Sequence, residues 1–356
     1  MPSRKRVSAR ADDRRRFGEA ERQVLALLRA IRARPQDWDN GQRIVPDAET
    51  LRRHGALFFG EALVAWPGTL ERLVEAGWVS RRQGRYALTE KGLPDGTDFQ
   101  RFFLDRGFGR LLLARARSRA HDRFCEQVFG VSLCQCSLLD AEQLRRAIDC
   151  LALAPGDRAL DLGCGVGRVA EYLADTTGAR VTGVDVASAA ISRAERRTRA
   201  RRDQVRYLHL DLNTADLPSR RFDAALAVDT LYLVNDLTET LGRIASSLRP
   251  GGRIVILGSE VLAPGVARDF RLAPSRTKLG RALRHHGLKY VTDDFTENEC
   301  AIWRRQKAVA RALRSEFVAE GNTALYRALT AEADRSLRWV AEGRVRRFLF
   351  HARVPA

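Results

Sequence analysis

Residues 159–174 read ALDLGCGVGRVAEYLA, with Gly163, Gly165 and Gly167 at every second position between an apolar run and an amphipathic segment. Glycine lacks a Cβ and takes up left-handed backbone freely, so such a loop lets a ligand lie against the main chain, facing the amides of the helix that follows. Asp161 and Cys164 stand in the same turn. Asp185 closes a second apolar run, RVTGVD, 18 residues past Gly167 and just before Val186. At that offset an acidic side chain accepts hydrogen bonds from both hydroxyls of a ribose and disfavours a ribose phosphate. Asp211 and Leu212 follow a third run and suit the amino group and ring face of an adenine, and Asp229, Thr230 and Tyr232 follow a fourth. These residues together describe a site for an adenosine-containing ligand.

The elements that must position them are legible from the same pattern. RALDLG, RVTGVD, VRYLHL, FDAALAV and GRIVILG are short apolar runs separated by amphipathic segments, the spacing of β-α-β units in a parallel sheet buried on both faces. In such a doubly wound sheet, ligands sit at the carboxyl ends of the strands where strand order reverses, which is where the first strand-to-helix turn lies. Segment 187–202 places Ala190, Ile191 and Ala194 on one face and a run of arginines on the other, a solvated face. Upstream, residues 18–34 form an amphipathic helix with Val24, Leu25, Leu27, Leu28 and Ile31 inward. Residues 69–92 give a second helix, stopped at Gly77, and two alternating runs joined at RQGR.

Composition sets the surroundings. A chain of 356 residues is longer than one usual domain. No apolar run is long enough to span a membrane, and the basic start has no apolar core behind it, so a cytoplasmic protein is expected. Six irregularly spaced cysteines read as reduced thiols, and Cys134 and Cys136 lack the companions that a metal site needs. The formal charge of +18 is carried by the two flanks, while residues 121–260 are nearly neutral. Only five of the 62 basic residues are lysine, as a GC-rich genome would give. Basic flanks keep a nucleic-acid partner open, against the plainer reading of a solvated arginine-rich surface.

The glycine loop reads GxGxG, and with Asp185, the Asp211-Leu212 pair, FDAALAVD and LRPGGRIVI it resembles the class I S-adenosylmethionine-dependent methyltransferases from about residue 121 to the end. A nicotinamide or flavin enzyme would carry GxGxxG and a second nucleotide half. The resemblance implies an α/β, doubly wound Rossmann-like sheet of seven strands with the last antiparallel, carried by LKYVTDD and GRVRRFLFHARVP. It implies S-adenosylmethionine held by Asp161, Gly163, Cys164, Gly165, Gly167, Asp185, Val186, Asp211, Leu212 and Asp229, and no metal. Segment LVEAGWVSRRQGRYALTEKG resembles a winged-helix module of the kind that supports dimerisation in O-methyltransferases. Its helix offers Glu71, Arg72 and Glu75, which fits a dimerisation role better than a DNA reader, although Arg81, Arg82 and Arg85 remain available to phosphate. The expected organisation is a basic tail at 1–17, this module at 18–96, a helical linker and lid at 97–140, and the methyltransferase domain at 141–356 with a two-helix insertion at about 300–343.

Methyl transfer needs alignment, exclusion of water and, for a weakly acidic acceptor, removal of a proton. His121 and Tyr232 are the candidates for catalysis, and Cys134, Gln135, Thr230 and Trp303 for the wall of the acceptor pocket. TLYLVNDL has Asn235 and Asp236 where winged-helix O-methyltransferases place a histidine, and the NPPY-like signature of many nucleic-acid methyltransferases is missing there. The expectation is a small-molecule methyltransferase of bacterial metabolism, with a homodimer through the N-terminal module. A transcription regulator with a ligand-sensing methyltransferase-like domain, an RNA methyltransferase, and a non-methylating reaction at the same site stay open.

Overall fold

The computed structural model describes residues 17–33, 46–60, 66–91, 97–262 and 273–355. Except for Phe17, the expected basic tail lies outside the described residues. The chain divides into two compact units, residues 1–111 and 112–356. The expected linker and lid, 97–140, is thus shared between them.

In the first unit, α1 (Glu19–Ala33), α2 (Ala48–Phe59) and α3 (Trp66–Glu75) precede a hairpin of β1 (Val79–Arg82) and β2 (Arg85–Leu88). Val24, Leu25, Leu27, Leu28 and Ile31 are all buried, the apolar stripe of an amphipathic helix. The hairpin pairs Arg82 with Arg85 across Gln83 and Gly84, both at positive φ (50° and 73°), which turns the chain with the twist of the strands. Asp47 caps α2 by accepting from the Thr50 amide at 2.7 Å and bridges to Arg85. Helix α4 (Thr97–Phe102) runs into a π-helical turn, Phe103–Phe108, and α5 (Gly109–Arg117) contains the division between the units.

The second unit is built on seven strands, β3 (Arg158–Leu162), β4 (Arg180–Asp185), β5 (Val205–His209), β6 (Phe222–Val228), β7 (Leu248–Val261), β8 (Tyr290–Asp294) and β9 (Val345–Arg353). Their order is β5-β4-β3-β6-β7-β9-β8. Neighbours from β5 to β7 are parallel, and β9 runs antiparallel to both β7 and β8, so the sheet is the one expected. Successive residues face opposite sides: Ala159, Leu226, Val255 and Leu349 join one core with α7 (Ala141–Leu151) and α8 (Arg168–Thr177). Leu160, Ala225, Ile256 and Phe348 join the other with α10 (Leu237–Ser247) and α11 (Lys278–His285), α9 being Ser188–Arg197.

Three helices, not two, lie between β8 and β9: α12 (Thr296–Ala312), α13 (Arg314–Ala319) and α14 (Thr323–Ala341). Gly321, at φ 72°, ends α13 and leaves one apolar pattern cut into separate pieces. They hold α6 (Arg119–Phe129), because Glu320 accepts from the Ser118 hydroxyl and the Ala120 amide, Glu316 pairs with Arg123 at 2.7 Å, and Arg305 donates to the Val128 carbonyl at 2.9 Å.

Candidate cofactor site

Strands β3 and β6 are neighbours although β4 and β5 lie between them in sequence, so strand order reverses at β3 and the turn after it opens at the carboxyl edge of the sheet. The amides of Gly163 and Cys164 donate to the Val184 carbonyl at 2.8 and 3.1 Å, which carries the loop across the end of β4. Gly163, Gly165 and Gly167 all have left-handed φ, at 73°, 53° and 80°. Their open sides differ. A Cβ on Gly163 would lie 2.1 Å from Thr230 Oγ1 and one on Gly167 2.4 Å from the Tyr207 ring, so both make room for the protein's own side chains. At Gly165 the nearest atoms are the two methyls of Leu112, at 3.7 and 3.8 Å in ordinary contact, so this glycine alone of the three is not crowded by the protein's own side chains. The loop is held from behind by Tyr207, whose hydroxyl donates to the Gly167 carbonyl at 2.9 Å, and by Arg197, which donates to the Val166 carbonyl and pairs with Glu171.

Asp185 receives the Gly165 amide on one carboxylate oxygen and the Ala187 amide on the other, each at 2.8 Å. Each oxygen has a second lone pair with which to accept a hydroxyl. Asp161 is buried with Oδ2 lacking any partner. Burial and the neighbouring Asp185 carboxylate push its pKa up to about 7. A buried carboxylate with one oxygen left unbonded suits a cationic group such as an ammonium. Leu212 is buried, and Asp211 steadies the turn by accepting from the Asn213 amide and side chain, both at 2.9 Å. The Val186 carbonyl is within 3.0 Å of His209 Nε2. These residues fit a ligand with a ribose, an adenine and an ammonium group.

Asp229 has different partners. Its φ is 47°, rare for a residue with a side chain, and Arg347 grips its carboxylate at 2.8 and 3.0 Å while the Leu138 amide donates at 2.8 Å. Arg347, fully buried on β9, also donates to Gln143 Oε1 and Ser259 Oγ. Ser259 donates in turn to Glu299, whose other oxygen accepts from Trp303 Nε1 at 3.0 Å. Trp303 and Asp229, expected in the pocket wall and the cofactor shell, thus end one connected polar network. The sequence signal for it is Arg347 itself, a cation at an inward position of the apolar run VRRFLFHA.

Thr230 lies against Gly163, and Tyr232 is about half exposed on the short turn that follows, Leu231–Leu233. Cys134, at φ 55°, is buried, and burial pushes its thiol up to about 12. Gln135 braces its own loop by accepting from the Leu133 amide and donating to the Val131 carbonyl. His121 is fully buried, stacked on Phe124, with only Cys125 Sγ at its ring nitrogens. Burial and the nearby Arg115 charge hold its pKa well below the usual histidine value. The structure brings Thr230 to the glycine loop, leaves Tyr232 on the turn two residues beyond it, and sets His121 in the packing of α6. Among the described residues no group of His, Cys, Asp or Glu forms a metal cluster, and no helix is long and apolar enough to cross a membrane.

Residues 159–252 match the family model described as a methyltransferase domain. Over 226 residues the chain is 26% identical to phosphoethanolamine N-methyltransferase 3 of Arabidopsis thaliana, covering 61% of this chain and 46% of that protein. It is 34% identical over 119 residues to 27-O-demethylrifamycin SV methyltransferase of Amycolatopsis mediterranei, covering 33% of this chain and 43% of that one. The chain spans about half the length of these curated relatives. The solved phosphoethanolamine N-methyltransferase 2 of Haemonchus contortus, in complex with S-adenosylmethionine, aligns with a TM-score of 0.56 at 20% identity, covering 76% of this chain and 63% of that one. Residues 159–252 thus match a methyltransferase domain, and the chain shares the fold of that solved S-adenosylmethionine-binding enzyme.

Proposed function

We propose that the protein transfers a methyl group from S-adenosylmethionine to a small-molecule acceptor. The observation that carries this reading is the pairing of Gly165, whose open side meets nothing closer than a Leu112 methyl at 3.7 Å, with two carboxylates: buried Asp161, with an unbonded oxygen, and half-buried Asp185, bonded to the Gly165 amide itself. Bound there, the cofactor supplies an electrophilic sulfonium methyl. Asp161 holds the ammonium, Asp185 the ribose hydroxyls, and Leu212 the face of the adenine, with Gly163, Cys164, Gly167, Val186, Asp211 and Asp229 shaping the surrounding turns. Thr230 and Tyr232 border the space for the acceptor, closed by the segment that contains Cys134 and Gln135. The relatives named for a phosphoethanolamine amine and a rifamycin oxygen support a small acceptor.

The first unit is read as a winged-helix-like module that supports a homodimer, in a cytoplasmic enzyme of bacterial biosynthesis. Its three helices and hairpin support the module. Glu71 pairs with Arg81 and Arg72 with Glu21, so charges of the helix before the wing are engaged within the unit, against a DNA-reading role.

Calorimetric titration with S-adenosylmethionine and S-adenosylhomocysteine, beside an Asp185→Ala variant, tests the reading. Binding by the wild type and its loss in a folded variant are expected. Absence of binding by a folded, ligand-free wild type would refute it, and mass spectrometry of the purified protein shows whether a ligand has been carried along.

A further inference from the structure

Three arginines of the described residues are buried: Arg115, Arg344 and Arg347. A guanidinium taken out of water needs a counter-charge and partners for its donors. Arg347 has the Asp229 carboxylate in a two-bond grip, and Arg344 has Glu342 at 2.8 Å. Arg115 has neither. Among the described residues it forms no ion pair, its one hydrogen bond runs from Nη1 to the Gln135 carbonyl at 2.8 Å, and its Nε is buried with no partner. Its electrostatic neighbours are the thiols of Cys125, Cys134 and Cys136 and the carboxylate of Glu332, which makes no ion pair with it. Burial raises the pKa of all three thiols, so they stay neutral, and Glu332, which makes no ion pair with Arg115, is left as the carboxylate whose charge acts on the cation.

The position of Arg115 says what could compensate it. Leu112, one helical turn earlier on α5 and therefore on the same face, is the side chain that meets the open side of Gly165. Cys136, beside Arg115, is also within electrostatic reach of Asp185 and Asp229. Arg193 of α9 donates to the Ala116 carbonyl at 2.6 Å and fixes this end of α5 next to the cofactor loop. The buried cation thus stands one helical turn from the side chain that covers Gly165.

We propose that Arg115 is the anion-binding residue of this site and takes a carboxylate or phosphate group of a bound ligand. Resting on the reading above, that group is either the carboxylate of the cofactor's methionine end or an acidic group of the methyl acceptor. A planar guanidinium with donors to spare matches an oxyanion in a two-point contact, and Asp161, with its free oxygen, suits the ammonium of the same amino acid.

The test uses the full chain and its Arg115→Met and Arg115→Lys variants. S-adenosylhomocysteine, methylthioadenosine, which lacks the amino-acid end, and inorganic phosphate in the presence of S-adenosylhomocysteine are titrated calorimetrically into each. Methylthioadenosine needs only the nucleoside half, so its unchanged binding certifies that the variants are folded and that the cofactor reading holds. If Arg115 takes the cofactor carboxylate, Arg115→Met weakens S-adenosylhomocysteine roughly 10- to 100-fold, as for loss of hydrogen bonds to a charged group, and Arg115→Lys recovers part of it. If it takes an acceptor's acidic group, S-adenosylhomocysteine is unaffected and the binding of phosphate to the wild-type complex is lost in Arg115→Met. Unchanged S-adenosylhomocysteine affinity with no phosphate binding to the wild type overturns the proposal. Failure of methylthioadenosine and S-adenosylhomocysteine alike to bind the folded wild type overturns the cofactor reading and this inference with it.

Discussion

Replacing Arg347 by methionine keeps the length and apolar stem of the side chain but removes the cation at the centre of the second unit's polar network. The wild-type guanidinium makes four hydrogen bonds: two to Asp229, one to Gln143 and one to Ser259. Asp229 would keep only the Leu138 amide, on a backbone already held at φ 47°. Hydrogen bonds to charged groups contribute about 1.5–3 kcal/mol each and are not additive within one network. Removing one partner of a buried pair costs about 3–5 kcal/mol, because the other charge is left without compensation. Against a domain stability of about 5–15 kcal/mol, Arg347→Met should remove about a fifth or more. Asp229→Asn should cost a similar amount, since it leaves the cation with only the more distant carboxylates of Glu299 and Asp140. The double variant should be more stable than the sum of the two losses implies, with a coupling energy of about 2 kcal/mol or more. Denaturant dependence of hydrogen exchange at the amides of β6, β7 and β9 reads this locally and is independent of the first unit. Additive single losses, or an Arg347→Met cost below about 1 kcal/mol, would sink the view that the pair is a mutually dependent brace.

Gly163→Ala should destabilise the fold severely, because its Cβ meets Thr230 at 2.1 Å, whereas Gly165→Ala should cost only the roughly 1–2 kcal/mol of left-handed strain and act chiefly on cofactor affinity; equal thermal shifts for the two would contradict this. Asp161, with its pKa raised to about 7, is protonated in the fold at pH values where an unfolded chain would ionise it. Its contribution to stability is therefore present at low pH and lost as pH rises through about 7, and affinity for a ligand ammonium should grow over the same rise; Asp161→Asn should abolish both slopes in stability and calorimetric measurements. His121, whose pKa is lowered by burial and Arg115, works in the opposite sense, with stability lost as pH falls below about 6.5, and His121→Gln should flatten that limb of a pH-dependent melting curve. Tyr232→Phe should lower kcat by more than tenfold with little change in melting temperature if its hydroxyl handles the acceptor's proton; an unaltered kcat removes it from that role.

What the sequence made legible was whatever a single strand and its following turn encode. The strand runs are nearly continuous apolar stretches, and the positive φ of Gly163, Gly165 and Gly167 follows from the need to turn tightly into α8. The residues against those glycines are not legible, because Tyr207 and Thr230 arrive from β5 and from the end of β6, 40 and 67 positions beyond Gly167 and Gly163. Asp229 shows the same limit more sharply. An acid after the fourth strand is what a ligand-binding turn would carry, yet the carboxylate is committed to a cation 118 residues away. Short-range pattern fixes which turns meet at the sheet edge, while the assignment of each polar group to ligand or protein depends on which long-range partner packs against it.

The buried charges divide on that criterion. Arg347 and Asp229 neutralise one another, so the cost of burying them is offset inside the protein, and what they supply is position: β9, the turn after β6 and the loop at Leu138 are tied at one point. Asp161 and Arg115 lack that internal offset, one with a free carboxylate oxygen and the other with a free guanidinium nitrogen. Both lie beside Gly165 or its covering residue Leu112. An isolated buried charge is costly unless something arrives to pair with it. Two of opposite sign near one glycine turn match the ammonium and carboxylate of a free amino-acid end, so binding of such a group would stabilise the fold as well as fill the site. Saturating S-adenosylhomocysteine should accordingly raise the melting temperature of the wild type, and the gain should shrink in Asp161→Asn and Arg115→Met alike; an equal gain in all three would mean that these charges serve only the packing around them.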